Sequence, residues 1–256
     1  MNSPVVVIGV GEIGSVFARG FMRLGYPIVP VTRDMDLGIV AEEVQEPEAV
    51  IVAVAEKDLH ATLADIPDVW RNRLVLLQNE LLPRDWEQHG LSKPTVISVW
   101  FEKKKGMDSK VVIASPAFGE FSSLLKNALG GLDIPVRELA DDNELLFELV
   151  LKNLYILTTN IAGLESGGNV RELWLEHNDL ACAVAGDVLD IQEHLTGQEL
   201  NRTALIEGML AAFDGDPEHG CMGRSAPARL ERALSIADEA KLEVPNLRRI
   251  SKAKGS

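Results

Sequence analysis

The feature that most constrains this chain is a glycine-rich turn directly after an apolar run at residues 5–8. The turn has the spacing G-x-G-x-x-G, and apolar residues at helical spacing follow it. In this setting the first glycine permits a sharp turn, the second lets the backbone approach a pyrophosphate, and the third lets helix and strand pack closely. The N–H groups at the start of the helix then face the phosphates. The motif predicts a dinucleotide site, with the cofactor-binding residues Gly9, Gly11, Glu12, Ile13 and Gly14.

Strands and helices alternate through the first half of the chain. The helix after the turn ends near Gly25, and a second strand follows at 28–32, so the opening segment is a right-handed parallel βαβ unit. Further strands are predicted at the apolar runs 49–54, 74–77, 95–99 and 110–113, with an edge strand at 134–136. Helices are predicted at 58–66 and 121–129. The pattern is typical of an α/β, Rossmann-type domain with a mostly parallel sheet, over residues 1–138.

The remainder of the chain, residues 139–256, has a different pattern. It contains no convincing strand, and its apolar residues recur at helical spacing. A long helical region is predicted from Leu145, followed by helices at 180–195, 205–213 and 227–242. We therefore expect an all-helical C-terminal domain. A basic loop at 103–105, within the first domain, is interpreted as a solvated hairpin tip.

Charge and composition exclude several classes of protein. The net charge is −14 and the pI is about 4.8, so the surface repels nucleic-acid backbones and anionic membranes. The two cysteines have no metal-binding spacing and are expected to be free thiols, so no metal site is predicted. The chain has neither the pattern of a signal peptide nor an apolar stretch long enough to span a membrane. We expect a cytoplasmic protein with no nucleic-acid or membrane partner.

The end of the second strand indicates which dinucleotide is bound. In this fold an acidic residue there binds the 2′-hydroxyl of NAD, whereas an arginine accommodates the 2′-phosphate of NADP. Both types occur, in the sequence Thr32-Arg33-Asp34. Because Arg33 comes first after the strand, we expect NADP (NADPH) as the cofactor, with Thr32 and Arg33 in its site. Asp34 keeps NAD open as the alternative.

Short motifs in both halves of the chain extend beyond the glycine turn. They are Arg33, L-L-Q-N at 76–79, L-K-N-L at 151–154, Asn160, G-G-N-V-R-E-L at 167–173 and G-R-S at 223–225. Together with the glycine turn they resemble the ketopantoate reductase (2-dehydropantoate 2-reductase) family, and the likeness covers most of the chain.

The resemblance implies a set of roles for particular residues. Lys152 corresponds to the catalytic acid that protonates a ketone oxygen, since an ammonium stabilises the charge left there by an arriving hydride. Asn79 would lie near the nicotinamide ribose and the substrate, and Asn160 would orient the reacting groups. The helical domain, residues 139–256, would bind the substrate and form a homodimer. The implied function is NADPH-dependent reduction of a small 2-oxo acid or related ketone.

The chain also departs from the family at several substrate-binding positions. An asparagine four residues after the lysine is replaced by Ile156, and the glutamate after the G-R segment is replaced by Ser225 and Ala226. Glu80 stands where the family usually has a glycine. We expect a less polar pocket and a different 2-oxo acid or ketone. Arg224, which can bind a carboxylate through two parallel hydrogen bonds, and Ser225 are the predicted substrate-binding residues in this loop.

Two other functions remain open at this point. The missing asparagine and glutamate fit an NADP-binding sensor or partner-binding protein that catalyses no reaction. An enzyme that joins an amine to the oxo acid, as opine dehydrogenases do, is also compatible with the sequence.

Overall fold

The computed structural model describes residues 2–254, and the chain forms two compact units, Met1–Leu149 and Val150–Ser256. In the first unit the strands are β1 (Val5–Ile8), β2 (Ile28–Val31), β3 (Ala49–Val52), β4 (Leu74–Leu76), β5 (Thr95–Ile97), β6 (Phe101–Glu102), β7 (Lys110–Val111), β8 (Ser115–Phe118) and β9 (Val136–Glu138). Its helices are α1 (Glu12–Arg23), α2 (Leu37–Glu43), α3 (Leu59–Ala64), α4 (Pro83–Glu87) and α5 (Ser122–Gly130).

The main sheet of the first unit has seven strands in the order β2-β1-β3-β4-β5-β8-β9. All neighbouring strands run parallel except β5 and β8, which are antiparallel. The chain therefore changes direction across the sheet between β1 and β3. In open α/β sheets, ligands bind outside the carboxyl ends of the strands at such a switch point.

β1 and β3 contain only apolar residues because both strands are buried in the core. β1 and β3 each lie between two neighbouring strands of the sheet, and their side chains are buried along the full length of both strands. One face of the sheet packs against α1 and α5 through Phe17, Phe21 and Leu125. These contacts fix the start of α1 at the carboxyl edge of the sheet. The predicted α/β fold class is confirmed.

One strand prediction is wrong, and one strand of the main sheet was not predicted. The run predicted at 110–113 contributes only β7, which pairs with β6 in a separate two-stranded hairpin. The main sheet instead contains β8, which has Pro116 within it and shows no apolar run in the sequence. Pro116 lacks an N–H group, and its carbonyl accepts a hydrogen bond from Ser98 N–H.

The second unit is helical. Helix α6 (Asp142–Ser166) begins in the first unit and continues into the second, and it is followed by α7 (Val170–Glu176), α8 (Asn178–Thr196), α9 (Arg202–Gly215), α10 (Ala226–Ala240) and α11 (Pro245–Lys254). Within residues 2–254, no strand follows β9, as the sequence predicts. Helix α7 was not predicted, although Asn169 and Glu172 form the reciprocal capping hydrogen bonds that N-x-x-E indicates.

Buried polar groups join the helices of the second unit. The carboxylate of Asp187 on α8 accepts hydrogen bonds from the N–H groups of Asn246 and Leu247, which caps the start of α11. On α6, Asn153 donates to Gln192 of α8 at 3.0 Å. Because each of these buried groups has a partner, the helices are held in a defined register.

One helix among the described residues, α6, has the length and apolar composition of a membrane span. In the structure, 78% of its most apolar window is buried inside the protein, as is usual for a core helix.

Candidate functional site

Two of the three glycines in the turn after β1 are required by close backbone packing. Gly9 has φ of 90°, and a Cβ atom on it would lie 2.7 Å from the carbonyl oxygen of Ala53 at the end of β3. A Cβ on Gly14 would collide with the carbonyl oxygen of Gly9. A Cβ on Gly11 would meet nothing within 4 Å. Gly9 and Gly14 thus serve the fold, whereas Gly11 leaves open space where a ligand's phosphates can approach the backbone.

Helix α1 begins at this open space. Its N-cap is Gly11, which has no side chain to satisfy the first N–H groups of the helix. The partial positive charge of the helix N-terminus therefore remains available to an anion. Glu12 places a carboxylate in the first turn, and Ile13 packs against the core below.

A lysine from the β6–β7 hairpin reaches this first turn. The ammonium of Lys103 lies 3.3 Å from the carboxylate of Glu12, and only 13% of the Lys103 side chain is exposed. Lys104 pairs instead with Glu102 and is 68% exposed. The expectation of a solvated basic loop is met by Lys104 and Lys105, but it is wrong for Lys103.

The end of β2 carries the residues predicted to recognise the adenosine ribose. Thr32 and Arg33 are both exposed there, and the Arg33 guanidinium lies 3.7 Å from the carboxylate of Asp58. Arg33 is 88% exposed, so the ion pair leaves its guanidinium accessible to a ligand. An exposed pair of this kind is weak, because water screens both charges.

The end of β4 is joined to the end of β3 by side-chain hydrogen bonds. Gln78 is buried and donates to the carbonyl oxygen of Val52 at 2.6 Å. The next residue, Asn79, donates to the carboxylate of Glu56 at 3.1 Å. Glu80 has φ of 63°, the left-handed conformation that glycine adopts most easily. The backbone at this position is therefore glycine-like, although the residue carries a carboxylate.

The candidate cofactor residues of the first unit thus share one edge of the sheet. The glycine turn, Arg33 and Asn79 follow β1, β2 and β4 in turn, and these strands are parallel. The sequence did not indicate that two further groups, Glu56 and Lys103, approach the same residues. Glu56 lies in no motif, and the basic loop that contains Lys103 carries no sequence signal for a contact with Glu12.

Lys152, the predicted proton donor, lies on α6 within the second unit. Its ammonium is 5.7 Å from the centre of the Tyr155 ring, a cation–π distance. Tyr155 is buried, and its ring packs against Phe213 and His219 with centroid distances of 5.6 and 6.0 Å. The ring is therefore a fixed support beside the Lys152 ammonium. His219 in turn lies 3.6 Å from the carboxylate of Asp216.

Asn160 lies two helical turns further along α6 and is 9% exposed. Its amide nitrogen donates to the carbonyl oxygen of Cys221 at 3.1 Å, and its amide oxygen accepts from the Arg229 guanidinium at 2.8 Å. Both ends of the side chain are thus engaged with other parts of the second unit. Ile156, the apolar replacement predicted from the sequence, is also buried.

The loop at residues 216–225 is fastened to its surroundings. Cys221 N–H donates to Gly168 at 3.0 Å, and the carbonyl of His219 accepts from Val170 N–H at 2.9 Å. A Cβ on Gly163 of α6 would lie 2.7 Å from the Cβ of Cys221, so the loop lies directly on that helix. Burial raises the pKa of the Cys221 thiol to about 12, which keeps it protonated and unreactive.

The loop does not bring all of the predicted substrate residues together. Arg224 and Ser225 are exposed at the start of α10, whereas the arginine that contacts Asn160 is Arg229, only 8% exposed. Arg229 lies one helical turn beyond Ser225, and no sequence pattern favours it over Arg224. Within residues 2–254, no group of three or more His, Cys, Asp or Glu residues is arranged to hold a metal ion.

Similarity between this chain and known proteins is found at the level of the fold. No protein-family model and no curated protein matches the chain. Solved structures do: a 2-dehydropantoate 2-reductase from Methylococcus capsulatus has 12% identity and a TM-score of 0.70, over 98% of this chain and 96% of the other. A dimeric ketopantoate reductase from Staphylococcus aureus has 16% identity and a TM-score of 0.66, over 96% of both chains.

A second kind of oxidoreductase has the same fold. D-mandelate dehydrogenase, solved in complex with NADH, has 12% identity and a TM-score of 0.68, over 97% of this chain and 96% of the other. At such low identities the likeness establishes the fold alone. The chain therefore has the fold that ketopantoate reductases and D-mandelate dehydrogenase share.

Proposed function

We propose that this protein is an NADPH-dependent reductase of a small 2-oxo acid or related ketone. The observation that carries the proposal is the open backbone at Gly11, beside the start of α1, on the same sheet edge as Arg33 and Asn79. Residues 1–138 are assigned to NADPH and residues 139–256 to the substrate and to dimerisation. The solved structures of similar fold support the assignment, since they include 2-oxo acid reductases and an NADH complex.

The choice of NADPH over NADH rests on Arg33. Arg33 lies two residues after the end of β2 and its guanidinium is exposed, so it can form two parallel hydrogen bonds with a 2′-phosphate. Asp58 forms an ion pair with Arg33, and the phosphate would displace it because the pair is solvent-screened. NADH lacks the 2′-phosphate and would gain nothing from this contact.

The residues of the chain suit the other requirements of a carbonyl reduction. When bound, the nicotinamide supplies the hydride that attacks the carbonyl carbon. The ammonium of Lys152 stabilises the negative charge that develops on the oxygen and donates the proton that completes the alcohol. The buried ring of Tyr155 limits where that ammonium can lie. Asn79 orients the nicotinamide ribose.

The substrate side of the proposal assigns different roles to the polar residues of the helical unit. Asn160 positions the loop at Cys221 and the Arg229 guanidinium, because its own amide is fully engaged. Arg224 and Ser225 are exposed and contact the carboxylate of the substrate. With Ile156 on α6, the pocket favours a 2-oxo acid with an apolar substituent.

The direct test is oxidation of NADPH in the presence of purified protein and a panel of carbonyl compounds. The panel contains ketopantoate, 2-oxo acids with small, branched and aromatic substituents, and matched ketones without a carboxylate. We expect oxidation with at least one 2-oxo acid, faster than with its matched ketone, and a higher kcat/KM for NADPH than for NADH. If dinucleotide binding is measured but no carbonyl compound is reduced, the reductase proposal fails and a non-catalytic NADP sensor remains.

The sensor is the second candidate, and the bonding of Asn160 favours it. An amide already engaged at both ends, together with Ile156, leaves fewer groups on α6 to hold a substrate. Adding amines to the panel tests the third alternative. An oxidation that requires both a 2-oxo acid and an amine would identify an opine-forming reaction instead.

The proposal includes a homodimer, as described for the ketopantoate reductase from Staphylococcus aureus. Light scattering coupled to gel filtration should give twice the chain mass of 27.9 kDa. A mass equal to one chain would remove the dimer from the proposal and leave the reaction unaffected.

A further inference from the structure

We propose that Lys103 binds the pyrophosphate of the dinucleotide, and that Glu12 holds this lysine at the start of α1 until the cofactor arrives. The inference rests on the proposed function and assigns to it a residue outside every recognised motif. Three observations carry it: the path of the β6–β7 hairpin, the low exposure of Lys103, and the position of Glu12 in the first turn of α1.

The hairpin is anchored to the same helix that begins at the glycine turn. Phe101 of β6 is buried, and its ring lies 6.3 Å from that of Phe17 on α1. Lys103 comes directly after β6, two residues beyond Phe101. Its ammonium lies 3.3 Å from the Glu12 carboxylate and also donates a hydrogen bond to the carbonyl oxygen of Lys104 at 2.8 Å.

The neighbouring lysine, Lys104, has a different ion-pair partner. Glu102 and Lys104 form their own ion pair at 3.1 Å, and Lys104 is largely exposed. Two lysines that are adjacent in sequence thus have different environments. Only Lys103 is placed at the glycine turn, and Lys104 provides a matched control with the same charge and the same loop.

The positive charge of Lys103 compensates for negative charge near the glycine turn. The chain carries a net charge of −14, and a carboxylate at position 12 repels a pyrophosphate that approaches the open space at Gly11. A nearby ammonium offsets that repulsion. It also offers up to three N–H donors, so it can contact a phosphate oxygen when released from Glu12.

Glu12 has an opposite effect on binding. Its carboxylate lies in the first turn of α1, where it repels a second anion, and it holds the ammonium that a phosphate requires. The cofactor must displace it from Lys103. Removing the charge of Glu12 should therefore increase affinity for the dinucleotide, whereas removing the charge of Lys103 should decrease it.

The test is the dissociation constant of NADPH and of NADH, measured by titration calorimetry for the wild-type protein and five variants. Lys103→Met should weaken binding of both dinucleotides by about tenfold, because both contain the pyrophosphate and a charge-assisted hydrogen bond is lost. Lys104→Met should change both by less than about twofold, as expected for an exposed pair. Glu12→Gln should tighten both by about threefold.

The double variant Glu12→Gln/Lys103→Met separates a phosphate contact from simple neutralisation of Glu12. If Lys103 contacts the pyrophosphate, the double variant should still bind about tenfold more weakly than Glu12→Gln alone. If it binds equally well, Lys103 acts only through Glu12 and the proposal is overturned. Equal effects of Lys103→Met and Lys104→Met would also overturn it.

Two controls separate this result from others. Thermal unfolding of each variant shows whether the hairpin remains folded, and Lys103→Arg, which keeps the charge, should retain affinity within about threefold. If the wild-type protein binds neither dinucleotide, the proposed function fails and this assignment fails with it. If the wild type binds and Lys103→Met binds as well, only the assignment of Lys103 fails.

Discussion

The two units of this protein arrange their candidate functional residues in opposite ways. In the first unit, Arg33 and Lys103 stand at the carboxyl edge of the sheet, each beside a carboxylate that a ligand can displace. In the second unit, Asn160 and Arg229 are buried and bonded to each other. The first unit therefore holds several charged groups at one edge of its sheet, whereas the second unit uses several of its polar groups to hold its own fold.

The largest expected effect tests whether the helical unit contributes chemistry at all. Lys152→Met should lower kcat by about 10² to 10³ because it removes the proton donor. The dissociation constant of NADPH should stay within about twofold, since the glycine turn is unchanged. Steady-state kinetics and calorimetry measure the two quantities. Lys126→Met, which removes a surface ion pair with Glu138, is the matched control and should be neutral.

The reverse result would change the comparison. If Lys152→Met abolishes NADPH binding while the protein stays folded, the lysine belongs to the cofactor site. If turnover is unchanged, the proton comes from another group and Lys152 only packs on Tyr155.

Two glycines of one turn offer a test within the first unit. Gly9→Ala should lower the free energy of unfolding by about 2–4 kcal/mol, because it combines a positive φ with a collision at Ala53. Gly11→Ala should lower the free energy of unfolding by about 1 kcal/mol or less, since its Cβ enters open space. It should nevertheless weaken NADPH binding by about tenfold. Urea denaturation and calorimetry measure these effects. Equal loss of stability in both variants would contradict the separation of fold and binding roles.

Asn160 tests whether the helical unit is built as tightly as its hydrogen bonds indicate. Asn160→Leu leaves the Cys221 carbonyl without this donor and Arg229 without this acceptor, so the free energy of unfolding should fall by about 2–3 kcal/mol. Arg224 is exposed, so Arg224→Met should change the free energy of unfolding by less than about 0.5 kcal/mol. It should instead raise KM for the 2-oxo acid. A stable Asn160→Leu protein with a raised KM alone would make Asn160 a substrate residue.

The smallest expected effect concerns cofactor choice. Arg33→Ala should weaken NADPH binding by about tenfold and NADH binding by less than about twofold, because only NADPH has the 2′-phosphate. Asp58→Asn should tighten NADPH by about twofold by releasing the guanidinium. Equal changes for both dinucleotides in Arg33→Ala would leave Asp34 as the residue that selects the cofactor.

Much of the fold was predictable because its signals are local. The apolar run of β1, the glycine turn, the helical spacing of α1 and the apolar run of β2 lie within the first 31 residues and specify a βαβ unit. The helical character of the second half follows from the same periodicity. The sequence was misleading at β8, where Pro116 interrupts the strand pattern. The sheet accommodates Pro116 because its carbonyl oxygen still accepts a hydrogen bond, although proline has no N–H group to donate.

The candidate site was predictable in part, for the same reason. Arg33 and Asn79 could be placed because they follow strands, and the ends of parallel strands meet at one edge. The environment of Lys103 could not be predicted, since its partner Glu12 is 91 residues away. Arg229 was missed because Asn160 lies 69 residues before it, and no periodicity relates the two.

The sequence alone therefore determined the α/β and helical halves and the glycine turn, because backbone geometry and hydrophobic spacing act over a few residues. Only the tertiary structure decided which lysine of the basic loop reaches the glycine turn and which arginine contacts Asn160. Those contacts depend on how distant segments pack, with Phe101 placed on Phe17 and Cys221 placed on Gly163. Packing of this kind fixes the positions of charges that no local pattern can specify.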